Sequence, residues 1–139
     1  MKTYPAHIWK EKNGTWSVEF PDLHGCFTSA ESLEAAKENA KEALTAYLES
    51  LDSRSLSIPV SSTIEKDDIY PIAPSLNVSF AITLKQERQK QGLTQKEVAK
   101  RMGVNWSMYQ RIENPRKTNP TLSTIDKLQK VFGRQFFAL

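Results

Sequence analysis

Hydrophobic and polar positions alternate at the start of the chain. Tyr4, Ala6 and Ile8 fall on one side and Pro5, His7 and Trp9 on the other, the period of two that a half-buried strand imposes. Pro5 lies near the start of this run, where a strand tolerates the missing amide hydrogen. After Lys12-Asn13-Gly14 the alternation returns, with Trp16, Val18 and Phe20 on one side. Asn-Gly between two such runs predicts a tight hairpin. Pro21 to Gly25 breaks the pattern, and Phe27 and Thr28 form a brief third strand. Antiparallel strands with one apolar face need a cover, and the next segment supplies it. From Ser32 to Leu51 the period lengthens. Leu33, Ala36, Ala40, Ala43, Leu44, Tyr47, Leu48 and Leu51 make one stripe, and Glu34, Lys37, Glu38, Lys41, Glu42 and Glu49 take the opposite face. This is an amphipathic helix capped by Ser32, with a charged face that reads as solvated.

Asp52 to Ser62 is serine-rich, contains Pro59 and reads as loop. Two short apolar alternations follow, Asp68–Ile72 and Asn77–Ile82, interrupted by Pro71 and Pro74. The first is assigned as a fourth strand and Pro74–Ser79 as linker. Helical spacing then resumes from Ile82 to Gln91 and stops at Gly92. The organisation predicted is a domain over residues 1–73, a linker over 74–80 and a second domain over 81–139.

Thr94 to Glu113 carries two helix starts in quick succession. Thr94 and Glu97 make a capping box, and Leu93 and Val98 have the spacing of a hydrophobic staple. Gly103 ends that helix, since glycine enters the left-handed region without steric cost. Asn105 caps a second helix, with Val104 and Tyr109 at staple spacing again. Two capped helices this close must turn against each other, which is helix-turn-helix geometry. In the second helix Val104, Met108 or Tyr109, and Ile112 point inward. Trp106, Ser107, Gln110 and Arg111 point outward. That outer row is either an ordinary solvated face or a surface matched to the donors and acceptors of a DNA major groove. Thr121 caps a last helix, with Leu122, Ile125, Leu128 and Phe132 inward and Gly133 as its stop. Phe136, Phe137 and Leu139 close the chain as core or as a dimer contact.

The net charge of +3 conceals a division. Residues 1–80 carry seven Lys/Arg against twelve Asp/Glu, a balance of −5, whereas residues 81–139 carry twelve against four, a balance of +8. A basic C-terminal module seeks phosphate, and an acidic N-terminal one suits a basic protein. The single cysteine, Cys26, cannot form an internal disulfide and fits a reducing cytoplasm. No apolar run is long enough to span a membrane, and no signal-peptide core stands at the start. The carboxylates available for metal-dependent chemistry, Glu19, Asp22 and Glu31, form no buried pair. His7 and His24 lack metal-ligand spacing. The expectation is a non-enzyme without metal or cofactor.

The segment LKQERQKQGLTQKEVAKRMGV followed by YQRIENPRKTNPTLSTIDKL resembles the phage-repressor-like (Cro/C1-type, XRE) helix-turn-helix family. The resemblance implies that Gln95 touches a backbone phosphate and that Asn105, Trp106, Ser107 and Arg111 lie nearest the bases. Gln110 belongs to the same outward row, and Arg116 and Lys117, cations in the following loop, complete the DNA-binding set. It also implies a structural ion pair between Arg88 and Glu113. A glutamate at a helix C-terminus opposes the helix dipole and needs a cation nearby for that reason alone. Three positions depart from the family, Gln129 among them, where alanine is common. Pro115 stands where glycine is usual, so the path of Asn114–Pro120 is open. Trp106 is bulky for a reading position and either contacts a thymine methyl or packs against protein.

The segment FPDLHGCFTSAESLEAAKENAKEALTAYLE is similar to the HicB family of antitoxins. It implies an α+β fold: a small antiparallel sheet covered by one long helix, degenerate RNase H-like, followed here by the all-α helix-turn-helix domain. It further implies a type II antitoxin whose N-terminal domain binds a HicA-type mRNA-cleaving toxin. The C-terminal domain would bind double-stranded promoter DNA of its own operon as a homodimer or higher oligomer. The alternative is a stand-alone repressor whose N-terminal domain binds a small effector.

Overall fold

The computed structural model describes residues 2–135. It divides into two compact units that meet in sequence between Ser75 and Leu76. The first is a four-stranded antiparallel sheet with a single helix on one face. Strand β1 (Tyr4–Lys10) pairs with β2 (Trp16–Glu19), β2 with β3 (Phe27–Ala30), and β4 (Ile69–Ile72) returns to the free edge of β1. The hairpin turn is built as its sequence demands. Gly14 takes φ +90°, and the Asn13 side chain accepts from the Thr15 amide at 2.9 Å.

The registers put Ile8 beside Val18 and Tyr4 beside Ile72. Tyr4, Ala6, Ile8, Val18 and Phe20 are buried, as are Ala36, Ala40, Leu44, Leu48 and Leu51 of helix α1 (Leu33–Ser53). Ser32 caps that helix by accepting from the Ala35 amide at 3.1 Å. The turn between β2 and β3 folds inward. Phe20, Leu23 and Cys26 are buried, and their amides and carbonyls bond one another at 3.0–3.1 Å.

Several boundaries differ from the expected ones. β3 extends to Ala30 because Trp16 of β2 pairs with it. Asp52 and Ser53 continue α1 instead of opening the loop. The loop beyond is held at two points: Tyr4 donates from its hydroxyl to Pro59 O at 2.7 Å, and Asp22 accepts from the Ser62 amide and hydroxyl at 2.7–2.9 Å. Pro71 is tolerated because β4 is an edge strand.

The largest correction lies at the start of the second unit. Helix α2 spans Leu76–Lys90, so Asn77–Ile82 is helical, and most of the expected linker belongs to a helix. The alternation there was a helical pattern cut short: Phe80 and Leu84, four apart, are both buried in one cluster. Helices α3 (Gln95–Met102), α4 (Trp106–Ile112) and α5 (Leu122–Phe132) follow. Their shared core is Phe80, Leu84, Val98, Ala99, Met102, Tyr109, Ile112, Ile125, Leu128 and Phe132, with Leu93 and Val104 packed against it. Leu122, expected inward, is 70% exposed. It is the first residue of α5, one turn before Ile125, where the stripe first reaches the core. Phe136, Phe137 and Leu139 lie outside the described residues.

Burial pushes the Cys26 thiol up from an ordinary value of 9.0 to about 11. At pH 8 its thiolate fraction is therefore about a hundredfold below that of a free thiol. Because a thiolate of higher pKa is also more nucleophilic, alkylation of the native chain by iodoacetamide should be slower than that of the urea-unfolded chain by about tenfold or more, as read by mass spectrometry. Equal rates would mean that the β2–β3 turn opens freely.

Candidate nucleic-acid interface

The site is assembled from the caps outward. Thr94 accepts from the Glu97 amide at 3.1 Å and Glu97 returns a bond from the Thr94 amide at 3.3 Å, which completes the capping box of α3. Gly103 ends α3 at φ 75°, ψ 28°. Asn105 then starts α4, its Oδ1 accepting from the Met108 amide at 2.8 Å. Of the two inward candidates in α4, Tyr109 is fully buried and Met108 is 49% exposed. The side chain at Tyr109 fills the centre of the unit, so the row offset from it faces outward.

That row contains Trp106, Ser107, Gln110 and Arg111, all exposed, with Asn105 at its head. Arg116 and Lys117 are also exposed, in the loop beyond α4. That loop is organised by Asn114, whose Oδ1 accepts from the Arg116 amide at 3.0 Å and whose carbonyl accepts from Lys117 and Thr118 at 3.0 and 2.8 Å. Pro115 is buried in it.

Beneath the row lies the ion pair. Arg88 donates from Nε to Glu113 Oε2 at 2.9 Å and from Nη2 to Oε1 at 2.8 Å, and from Nη1 to Leu93 O at 2.9 Å. The two side chains are 12% and 2% exposed. The hydrogen bond to Glu113 raises the Arg88 pKa against the opposing pull of burial. Burial first, then the charge of Glu113, also raises the Tyr109 hydroxyl well above its ordinary value. That hydroxyl is close enough to Glu113 and Arg88 for both to act on it, but it makes no well-formed hydrogen bond among the described residues.

Gln95 does not stand clear of this network. Its Nε2 donates to Glu113 Oε1 at 3.3 Å and its Oε1 accepts from Trp106 Nε1 at 3.3 Å. One amide thus joins the buried pair to the head of the outward row. Lys96 adds a contact that the sequence reading missed. Its ammonium lies 4.6 Å from the centroid of the Trp106 ring. The available signal was a cation beside a residue already assigned to the site, but nothing in the spacing links α3 to a ring in α4.

The carboxylates weighed for metal chemistry do not converge. Glu19 is exposed, Asp22 is engaged by Ser62, and no group of three metal-ligating side chains occurs among the described residues. No helix among them is long and apolar enough to cross a membrane.

Removing one member of a buried pair strands the other charge. Glu113→Ala should therefore destabilise the chain by ~3–5 kcal/mol in urea denaturation followed by circular dichroism. Tyr109→Phe, which deletes a hydroxyl without a well-formed hydrogen bond, should change stability by less than ~1 kcal/mol.

Comparison with known proteins places these two units. A family model described as HicB_like antitoxin of bacterial toxin-antitoxin system matches residues 4–73, half of the chain, and one described as Helix-turn-helix matches residues 84–139. Antitoxin HicB 1 of Photorhabdus laumondii is 29% identical over 132 residues, covering 95% of this chain and 83% of that protein. A UPF0150 protein of Thermoplasma acidophilum is 41% identical over 56 residues, 40% of this chain and 81% of its own length. Among solved structures, the Burkholderia pseudomallei antitoxin HicB aligns with a TM-score of 0.49 at 16% identity, covering 74% of this chain and 96% of that one. The chain belongs to the HicB-like antitoxin family of bacterial toxin–antitoxin systems and carries an XRE-type helix-turn-helix at its C-terminal end.

Proposed function

We propose that the chain is a type II antitoxin that also represses its own operon. The N-terminal unit binds and neutralises a basic, HicA-type mRNA-cleaving toxin. The helix-turn-helix binds duplex promoter DNA as a homodimer or higher oligomer, and neither unit performs catalysis. The observation that carries this reading is the exposed row of α4 in a chain whose other half matches the antitoxin family. A second helix with exposed donors and acceptors is the element that enters a major groove in helix-turn-helix proteins. Charge supports both partners. The +8 of residues 81–139 favours a phosphate backbone, and the −5 of residues 1–80 favours a positively charged protein. Two half-sites about 34–36 Å apart would give a dimer the affinity that one small module lacks.

In this reading Arg111 contacts base edges, while Arg116 and Lys117 contact phosphates. Fluorescence anisotropy with a duplex from upstream of the chain's own gene, at two salt concentrations, tests the DNA arm. Binding should weaken steeply with salt. Arg111→Ala should cost ~1–3 kcal/mol and relax sequence preference, whereas Lys117→Ala should weaken all sequences alike. Identical behaviour of the two variants would remove the assigned roles. Co-expression with the adjacent gene tests the toxin arm: growth should be restored by the full chain, and failure to rescue would refute neutralisation.

A further inference from the structure

We propose that Trp106 is a specificity-determining residue that reads the methyl group of a thymine, and that Gln95 is the positioning residue that makes it do so. The inference rests on the DNA-binding reading above. An indole has one polar group, its N–H. Here that donor is turned inward to Gln95 Oε1 at 3.3 Å, and Gln95 is itself held by Glu113 at 3.3 Å. The ring therefore has no hydrogen bond left to offer a base edge. Lys96 occupies one approach to the ring at 4.6 Å from its centroid. The residue is nonetheless 45% exposed. What it presents outward is apolar surface, on the first residue of the helix that carries the outward row.

In the major groove the base edges offer donors, acceptors and a single kind of apolar group, the C5 methyl of thymine. An indole with its N–H committed elsewhere gains most from that group, since the donors can reach it only as weak N–H···π contacts and the acceptors offer it nothing. The cation above the ring fits the same occupant, since an ammonium near the rim of the row favours the flanking phosphates. Packing of Trp106 into the protein is the competing reading, and the residue's exposure of nearly one half opposes it.

The test uses the full chain and duplex sites selected from a random pool. Each thymidine of the selected half-site is then replaced by deoxyuridine, which removes only the methyl. One position per half-site should lose roughly three- to tenfold in affinity, the scale set by burial of a single methyl. In Trp106→Ala the same replacement should have no effect. In Gln95→Ala overall affinity falls, and the thymine-to-uracil ratio should also shrink towards one, which loss of a phosphate contact alone would not produce. The proposal is overturned by a selected site with no constant thymine, by uracil replacements that all cost less than about twofold, or by a penalty that persists without Trp106. If no duplex is enriched at any salt concentration, the DNA-binding reading fails first and this one falls with it.

Discussion

A guanidinium and a carboxylate, both withdrawn from water, hold the helix-turn-helix in register. Arg88 comes from the end of α2 and Glu113 from the C-cap of α4, and the third arm of Arg88 reaches the Leu93 carbonyl just before α3. Three segments that are separate in sequence are fixed by one side chain. Such a pair is poor evidence for net stability, because desolvating two charges offsets most of their attraction. Its value is geometric. A planar fork bonded at both nitrogens to one carboxylate allows few arrangements, whereas the apolar side chains around it could slide. The cluster of Phe80, Leu84, Val98 and Tyr109 supplies the driving force, and the pair selects which packing results.

The N-terminal unit solves a different problem with similar means. Its sheet is short and has one covered face, so the long return from α1 to β4 has to be tied down. Tyr4 on β1 and Asp22 in the β2–β3 turn do this, one gripping Pro59 and the other Ser62. Each bond spans a separation of forty residues or more. Asp22 looked like a free carboxylate in the sequence, and the fold spends it on a loop amide and a hydroxyl. The cover helix is clasped as well: Asn39 donates to Ser29 O and Tyr47 to His24 O, both at 2.9 Å, beside the buried stripe of Ala36, Ala40, Leu44 and Leu48.

Local chemistry was the legible part of the sequence. Caps at Ser32, Thr94, Asn105 and Thr121, and stops at Gly103 and Gly133, all form as read. Each depends on residues within a few positions of one another, so the physics that sets them is visible in a short window. The start of α2 was not read, because Ser75, a residue type that can cap a helix, stands directly after Pro74 and the pair suggested a linker. Leu122 was misplaced because periodicity fixes a face of a helix but not how far along it the core extends. At the candidate interface, the outward row could be read from the period of α4. The engagement of Gln95 and the position of Lys96 could not, since both depend on how closely α3 approaches α4.

The same network decides which atoms of the outward row remain usable. Asn105 gives one lone pair of its oxygen to the cap of α4, which fixes the side chain and leaves its amide NH2 and one lone pair. Trp106 gives its N–H to Gln95, which leaves only a ring. The first two positions of the row are thus narrowed by the bonds that hold the helix in place. Farther along, Gln110 keeps an amide that can pair bidentately with adenine and Arg111 a fork matched to guanine. Under the proposed DNA-binding role, rigidity and reading are divided along α4. The end nearest α3 exchanges hydrogen-bonding capacity for a fixed position, and that fixed position is what allows the second turn to be aimed.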